Sequence, residues 1–157
     1  MKAVRIHDYG HGDVLAYEDA PLPAVGANDV LVRVVAASVN PVDWKVREGY
    51  LKQMISYPLP MILGWDVSGV VESVGAAVSR FKVGDAVYSR PDIKRDGTYA
   101  EYVAINEAEL AHKPKMISHV EAASLPLAGI TAWDVLFTAG QLTAGQTVLI
   151  HAGSGGV

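Results

Sequence analysis

Cysteine is absent from this 157-residue chain, which excludes disulfide bonds and thiolate metal sites. No apolar run approaches the ~20 residues that a membrane span requires. The opening Met1-Lys2-Ala3-Val4-Arg5-Ile6 lacks the apolar core of a signal peptide and looks like a strand. Together these absences fit a cytoplasmic setting. Positive charge is scarce as well: 13 Lys and Arg face 17 Asp and Glu, for a net charge of -4, and the tightest basic pair, Lys94-Arg95, is offset by Asp92 and Asp96. Nothing electrostatic draws the chain to nucleic acid or to an anionic membrane. Internal repeats and low-complexity segments are also missing.

What remains is globular. Half of the residues are apolar and 19% are charged, a composition that can bury a core. The length suits one well-buried domain, or one domain and part of another. Strand signals dominate the first 115 or so residues. Lys2 to His7 is one, Asp8 to Asp13 is rich in turn formers, and Val14 to Glu18 can return as a hairpin partner. Asp29 to Ala37 is a β-branched run, Asp66 to Val74 a second, and Gly84 to Tyr88 a third. Thr98 to Ile105 is a further candidate. Many short strands with glycine between them predict a small barrel.

Helix signals are fewer. Asn40-Pro41-Val42-Asp43 offers an amide N-cap, a proline at the first helical position and a carboxylate at the third, so a helix should run to about Glu48 and stop at Gly49. Near Ser118 the character changes. Ser118-His119-Val120-Glu121 reads as a capping box before a short helix to Leu125, and Pro126 starts another through Phe137. A turn at Leu142 to Gln146 then leads to a predicted strand, Thr147 to His151, followed by Gly153-Ser154-Gly155-Gly156. A short aliphatic strand turning into Gly-x-Gly is how a parallel sheet presents amides to a dinucleotide's pyrophosphate: Gly153 permits the turn and Gly155 the close approach. Alone, that pattern is equally an ordinary glycine-rich turn. The five histidines (His7, His11, His112, His119, His151) show no ligand spacing, and they are best read as surface or strand residues.

Four segments, in order and at the expected spacing, resemble the medium-chain dehydrogenase/reductase superfamily, and within it the zinc-independent quinone and enone reductases. They are Ala37-Ser38-Val39-Asn40-Pro41-Val42-Asp43, Gly64-Trp65-Asp66-Val67-Ser68-Gly69-Val70-Val71, Gly97-Thr98-Tyr99-Ala100-Glu101-Tyr102, and Ala122 through Thr131-Ala132-Trp133 to the final glycines. The resemblance implies a mostly β, GroES-like, partly open barrel over residues 1–120, followed by the truncated start of an α/β Rossmann domain over 121–157. It also implies a longer native enzyme, inactive in this piece, that returns at its C-terminus to complete the barrel. In full length it would be a homodimer built on the Rossmann sheet, although the residues themselves leave the oligomeric state open.

The same resemblance supplies roles. Zinc alcohol dehydrogenases of the superfamily carry a cysteine near the position of Asn40 and a histidine at that of Trp65, and neither is here, so no metal is expected. Without a metal Lewis acid, reduction of a conjugated carbonyl is easier than oxidation of an alcohol: hydride goes to the β-carbon and hydrogen-bond donors steady the enolate oxygen. The cofactor is NADPH by family habit, with NADH open. Asn40, Lys45, Tyr50 and Trp65 are the catalytic candidates. Each has a plainer alternative: an N-cap for Asn40, a solvated lysine, a packed tyrosine and a core tryptophan. Asp43 is better read as the helix N3 carboxylate than as a general base, and Tyr57 is a weaker cleft candidate. Asn40, Thr131, Gly153, Gly155 and Gly156 are the cofactor-binding candidates, with Thr131 equally able to bond back to its own helix. A non-catalytic relative with the same fold, and a zinc-type alcohol dehydrogenase, are the rival readings.

Overall fold

Alternating valines decide where the sheets form. In β3 (Asp29–Ala37), Val30 and Val32 are fully buried while Arg33 and Val35 face outward, the period-2 pattern of a strand with one face on a core. The computed structural model describes residues 1–157. Strand β3 belongs to a five-stranded antiparallel sheet, paired with β5 (Val67–Val74) on one side and β7 (Tyr102–Asn106) on the other; β6 (Ala86–Ser89) and β8 (Leu110–His112) extend it in the order β7-β3-β5-β6-β8. Register places Val32 opposite both Val71 and Val103, so buried valines stack across three strands. They form one core with Val30, Val67, Phe81, Val87, Ile105 and Leu110.

A second sheet has the order β2-β1-β4, from β1 (Lys2–Ile6), β2 (Ala16–Asp19) and the short β4 (Met61–Ile62). The predicted hairpin is thus present, shifted two residues along its second strand. The two sheets are joined by residues 97–101. The N–H of Val4 donates to Tyr99 O and that of Glu101 to Lys2 O, while the N–H groups of Gly97 and Tyr99 donate to Ile62 O and Leu63 O. The Glu101 carbonyl in turn accepts from Val34 N–H. This double duty explains a departure from the sequence reading: Thr98 to Glu101 do not extend β7 but strap one sheet to the other. The result is the curled, mostly β half-barrel expected.

The strap fits because Gly64 has φ +93°; a Cβ there would lie 2.5 Å from Tyr99 Cδ1 and 2.7 Å from Thr98 Oγ1. Helix α1 (Pro41–Arg47) spans the residues predicted and ends before Gly49. It buries Val46 against Ile6, Tyr57, Met61, Leu63 and Trp65 in a second core, which Leu127 also touches. Helix α2 (His119–Ala123) starts at the predicted capping box: Ser118 N–H donates to Glu121 Oε2 at 2.7 Å and Glu121 N–H to Ser118 Oγ at 3.2 Å. It lays Ala122 and Ala123 on β3, β5 and β6.

Helix α3 (Pro126–Trp133) continues as a π-helix over Asp134–Ala139 and is capped by Gly140, so the helix predicted through Phe137 is present with a widened final part. One expectation near the C-terminal end is corrected. Thr147 to His151 is not a strand. A parallel strand is held by neighbours on both sides, and here none pairs with it; Leu149 is 81% exposed.

Gly64 and Gly84 share nearly the same positive φ, but nothing lies within 4 Å of a Cβ at Gly84. Gly84→Ala should therefore cost only the backbone strain, about 1–2 kcal/mol. Gly64→Ala adds the collision with Tyr99 and Thr98 and should cost clearly more, read as the difference in chemical-denaturation midpoints between the two variants.

Candidate functional site

A charged side chain inside an apolar run needs partners, and Asp66 lies between Leu63, Trp65 and Val67, all buried. Asp66 is itself 0% exposed. Its Oδ2 accepts from Ser38 Oγ at 2.7 Å and from Asn40 Nδ2 at 2.9 Å; its Oδ1 accepts from the backbone N–H of Leu127, in the first turn of α3, at 2.8 Å. Asn40 Nδ2 also donates to Ser38 Oγ at 3.1 Å. The Asp66 carbonyl is held by Thr98 Oγ1 at 2.9 Å. One residue, through its carboxylate and its backbone carbonyl, thus gathers the end of β3, the start of α1, the strap and the start of α3. Burial pushes its pKa above the ordinary carboxylate value, against the pull of the Ser38, Asn40 and Leu127 donors.

A second buried carboxylate lies beside it. Asn40 and Asp43 form a capping box at the start of α1, with Asn40 N–H donating to Asp43 Oδ2 at 2.7 Å. The same oxygen accepts from Tyr99 OH at 2.6 Å. The other oxygen, Oδ1, is buried without a partner. Burial raises the pKa of Asp43, Tyr99 and the Asn40 N–H oppose that rise, and the charge of Asp66 adds to it. Burial and the Asp43 carboxylate together push the Tyr99 phenol well above its usual range. So Asp43 serves as the helix N3 carboxylate, as read from the sequence, and in addition anchors the strap.

The other candidates are distributed as follows. Trp65 is 0% exposed and lies in the core, 6.3 Å ring to ring from Tyr57, with its Nε1 unpaired. It fills the space beneath the network and does not open on a cleft. Tyr57 is also buried, its hydroxyl unpaired and its pKa pushed up to about 12 by burial. Lys45, on α1, and Tyr50, beyond its C-terminal end, are exposed and flank Trp44: Tyr50 meets that ring edge-on at 5.7 Å and Lys45 Nζ sits 5.8 Å from its centroid. No hydrogen bond ties either to Asn40. Thr131 Oγ1 bonds back to Leu127 O at 2.7 Å, the helix-internal alternative. Gly153, Gly155 and Gly156 lie in an exposed turn, which does not form a phosphate cradle here. Sequence reasoning missed Ser38, Asp66 and Tyr99 as site residues. For Asp66 a signal existed: an acid within the apolar stretch from Met61 to Val71.

No three His, Asp or Glu side chains converge in a way that could hold a metal ion. Residues 26–115 match the alcohol dehydrogenase GroES-like domain, and the chain belongs to that family, within the medium-chain dehydrogenase/reductase superfamily. Among its relatives are the 2-methylene-furan-3-one reductase of Solanum lycopersicum, 45% identical, and the chloroplastic NADPH-dependent alkenal/one oxidoreductase of Arabidopsis thaliana, 44% identical; each match covers 100% of this chain and 42% of the relative. The quinone oxidoreductase of Coxiella burnetii superposes with a TM-score of 0.87 at 37% identity, over 98% of this chain and 49% of its own. The chain thus spans about half the length of the proteins it matches.

The buried Asp43 charge has a pH signature. Its folded pKa lies above the ordinary value of 3.8, so the folded state holds the proton longer and this group's contribution to stability declines as pH rises from there. Asp43→Asn keeps an acceptor for Tyr99 and removes the titration. Its stability relative to wild type should improve as pH rises through that window, measured by urea unfolding from pH 3 to 7; a pH-independent difference would contradict a raised Asp43.

Proposed function

We propose that the chain is the barrel half of an NADPH-dependent oxidoreductase that reduces quinones or α,β-unsaturated carbonyls, with residues 1–120 as the substrate domain and 121–157 as the opening of the Rossmann domain. The observation that carries this reading is what stands where zinc relatives place their ligands: an amide, Asn40, hydrogen-bonded into a carboxylate network, and an indole, Trp65, buried in the core. Neither can ligate zinc in that arrangement, which favours metal-free chemistry. Relatives named for alkenal/one and quinone reduction support the same class. No helix is long and apolar enough to cross a membrane. A cytoplasmic location and a homodimer in the full-length protein complete the proposal.

When bound, the reduced nicotinamide supplies the hydride. The chain's residues bind and orient. Hydride arriving at the β-carbon of an enone leaves charge on the enolate oxygen, which needs a donor within ~3 Å, and a proton from solvent at the α-carbon then gives the saturated carbonyl. Ser38 and Tyr99 already direct their protons to Asp66 and Asp43, and the Asn40 amide nitrogen is turned toward Ser38 and Asp66. Lys45 and Tyr50 are the remaining donors among the candidates, exposed and with no hydrogen-bond partner in the chain, and we assign them that role. Thr131, Gly153, Gly155 and Gly156 remain the proposed contacts for the cofactor's ribose and phosphates.

In the full-length protein, NADPH oxidation should depend on a quinone or an enone, with the enone recovered as the saturated carbonyl. Lys45→Ala should lower kcat/KM by about 10–100-fold and leave NADPH affinity unchanged. Oxidation of a saturated alcohol that requires added zinc, with no enone turnover, would overturn the assignment.

A further inference from the structure

An open cavity of about 320 Å³ lies between the ends of β6 and β8 and the start of α3. That is room for a small ligand. Its helix wall is apolar: Leu125 and Ile130 line it, each 49% exposed, and Gly129 stands in the same wall. A glycine inside a helix costs about 1 kcal/mol against alanine, and a close approach of another chain segment usually explains it. Here a Cβ would meet nothing within 4 Å, so what the missing side chain provides is the room itself. The facing wall is polar. Ser89 Oγ donates to Glu109 O at 2.6 Å, and Glu109 Oε2 accepts from Asp92 N–H at 3.1 Å. Arg90 is different. Every other arginine is engaged: Arg5 with Glu18, Arg33 with Glu72, Arg47 with Glu48, Arg80 with the Glu107 carbonyl and Arg95 with Asp29. Arg90, half-buried in the cavity wall, has neither an ion pair nor a hydrogen bond in the chain.

We infer that this cavity is a binding site for a small carboxylate with an apolar body, its charge on the Arg90 guanidinium and its hydrocarbon part against Leu125, Gly129 and Ile130. The planar fork of guanidinium donors matches a carboxylate's two oxygens, and a half-buried cation attracts an anion more strongly than a fully solvated one. Tyr88, half-buried in the same wall and without a hydrogen-bond partner in the chain, adds a hydroxyl donor. Glu109, exposed on the same rim, sets the limit: a dianion would meet its negative charge, so the site takes a monoanion. Lys45, Tyr50 and the C-terminal glycines do not line this cavity, and the inference does not depend on the reductase reading.

The test measures dissociation constants of 3-phenylpropanoate and its neutral amide on the full-length protein by ligand-observed NMR. The wild type should bind the acid about tenfold more tightly than the amide. Arg90→Leu should weaken the acid by about 10–100-fold and leave the amide unchanged, which removes the preference. Arg90→Lys, which keeps the charge and loses the fork, should retain part of it. Gly129→Leu, which puts a side chain into the empty space, should weaken acid and amide alike by about tenfold or more. Equal binding of acid and amide by the wild type would refute the inference, as would acid binding that survives Arg90→Leu or Gly129→Leu unchanged. Failure of the wild type to bind the acid at millimolar concentration, as when the rest of the protein fills the cavity, would refute it too. Should Arg90→Leu fail to fold, an acid preference undiminished in Arg90→Lys would count against it in the same way.

Discussion

Four stretches of chain meet at the Asp66 carboxylate and its own carbonyl. Ser38 from the end of β3, Asn40 from the start of α1, Leu127 from the start of α3 and Thr98 from the strap all bond to this one residue. Burying a charge is costly unless several donors surround it, and removing one partner of such a group is more damaging than exchanging the whole set. The cost is recovered as geometry. Segments separated by 28, 26 and 61 residues along the chain are held to hydrogen-bond tolerance around one point.

Around that point the packing is ordinary and the polarity is not. Below it, Trp65, Tyr57 and Val46 make an apolar floor that keeps water from the carboxylates. Beside it, Asp43 repeats the arrangement on a smaller scale, with Tyr99 and the Asn40 N–H on one oxygen and nothing on the other. Burial raises the pKa of both acids, the charge of Asp66 adds to the rise at Asp43, and hydroxyl and amide donors restrain each. The network is thus a frame that fixes the relative orientation of the segments it joins.

Much of the barrel was legible from local pattern. The β-branched runs at Asp29–Ala37 and Val67–Val74 and the two capping boxes specify their own conformations, because strand alternation and helix caps are short-range effects. The short strands at Met61–Ile62 and Leu110–His112 were not legible, since two or three residues carry no period and are recruited by partners already in place. The strap at residues 97–101 looked like an ordinary strand because its double role depends on two sheets distant in sequence. At the site, motif order pointed to the neighbourhood of Asn40. The polarity of that amide depends on where Ser38 sends one hydrogen, and that is a tertiary fact. Thr147 to His151 carries a sound strand pattern without the neighbours that would make it one.

The central claim is that one buried carboxylate, Asp66, holds the Ser38, Asn40 and Leu127 segments around a single point. The most direct measurement is the unfolding free energy of Asp66→Ala beside that of Ser38→Ala. The account predicts that Asp66→Ala, which strands three buried donors, costs about 3 kcal/mol or more and clearly exceeds Ser38→Ala. Equal losses, or a negligible loss in Asp66→Ala, would contradict it.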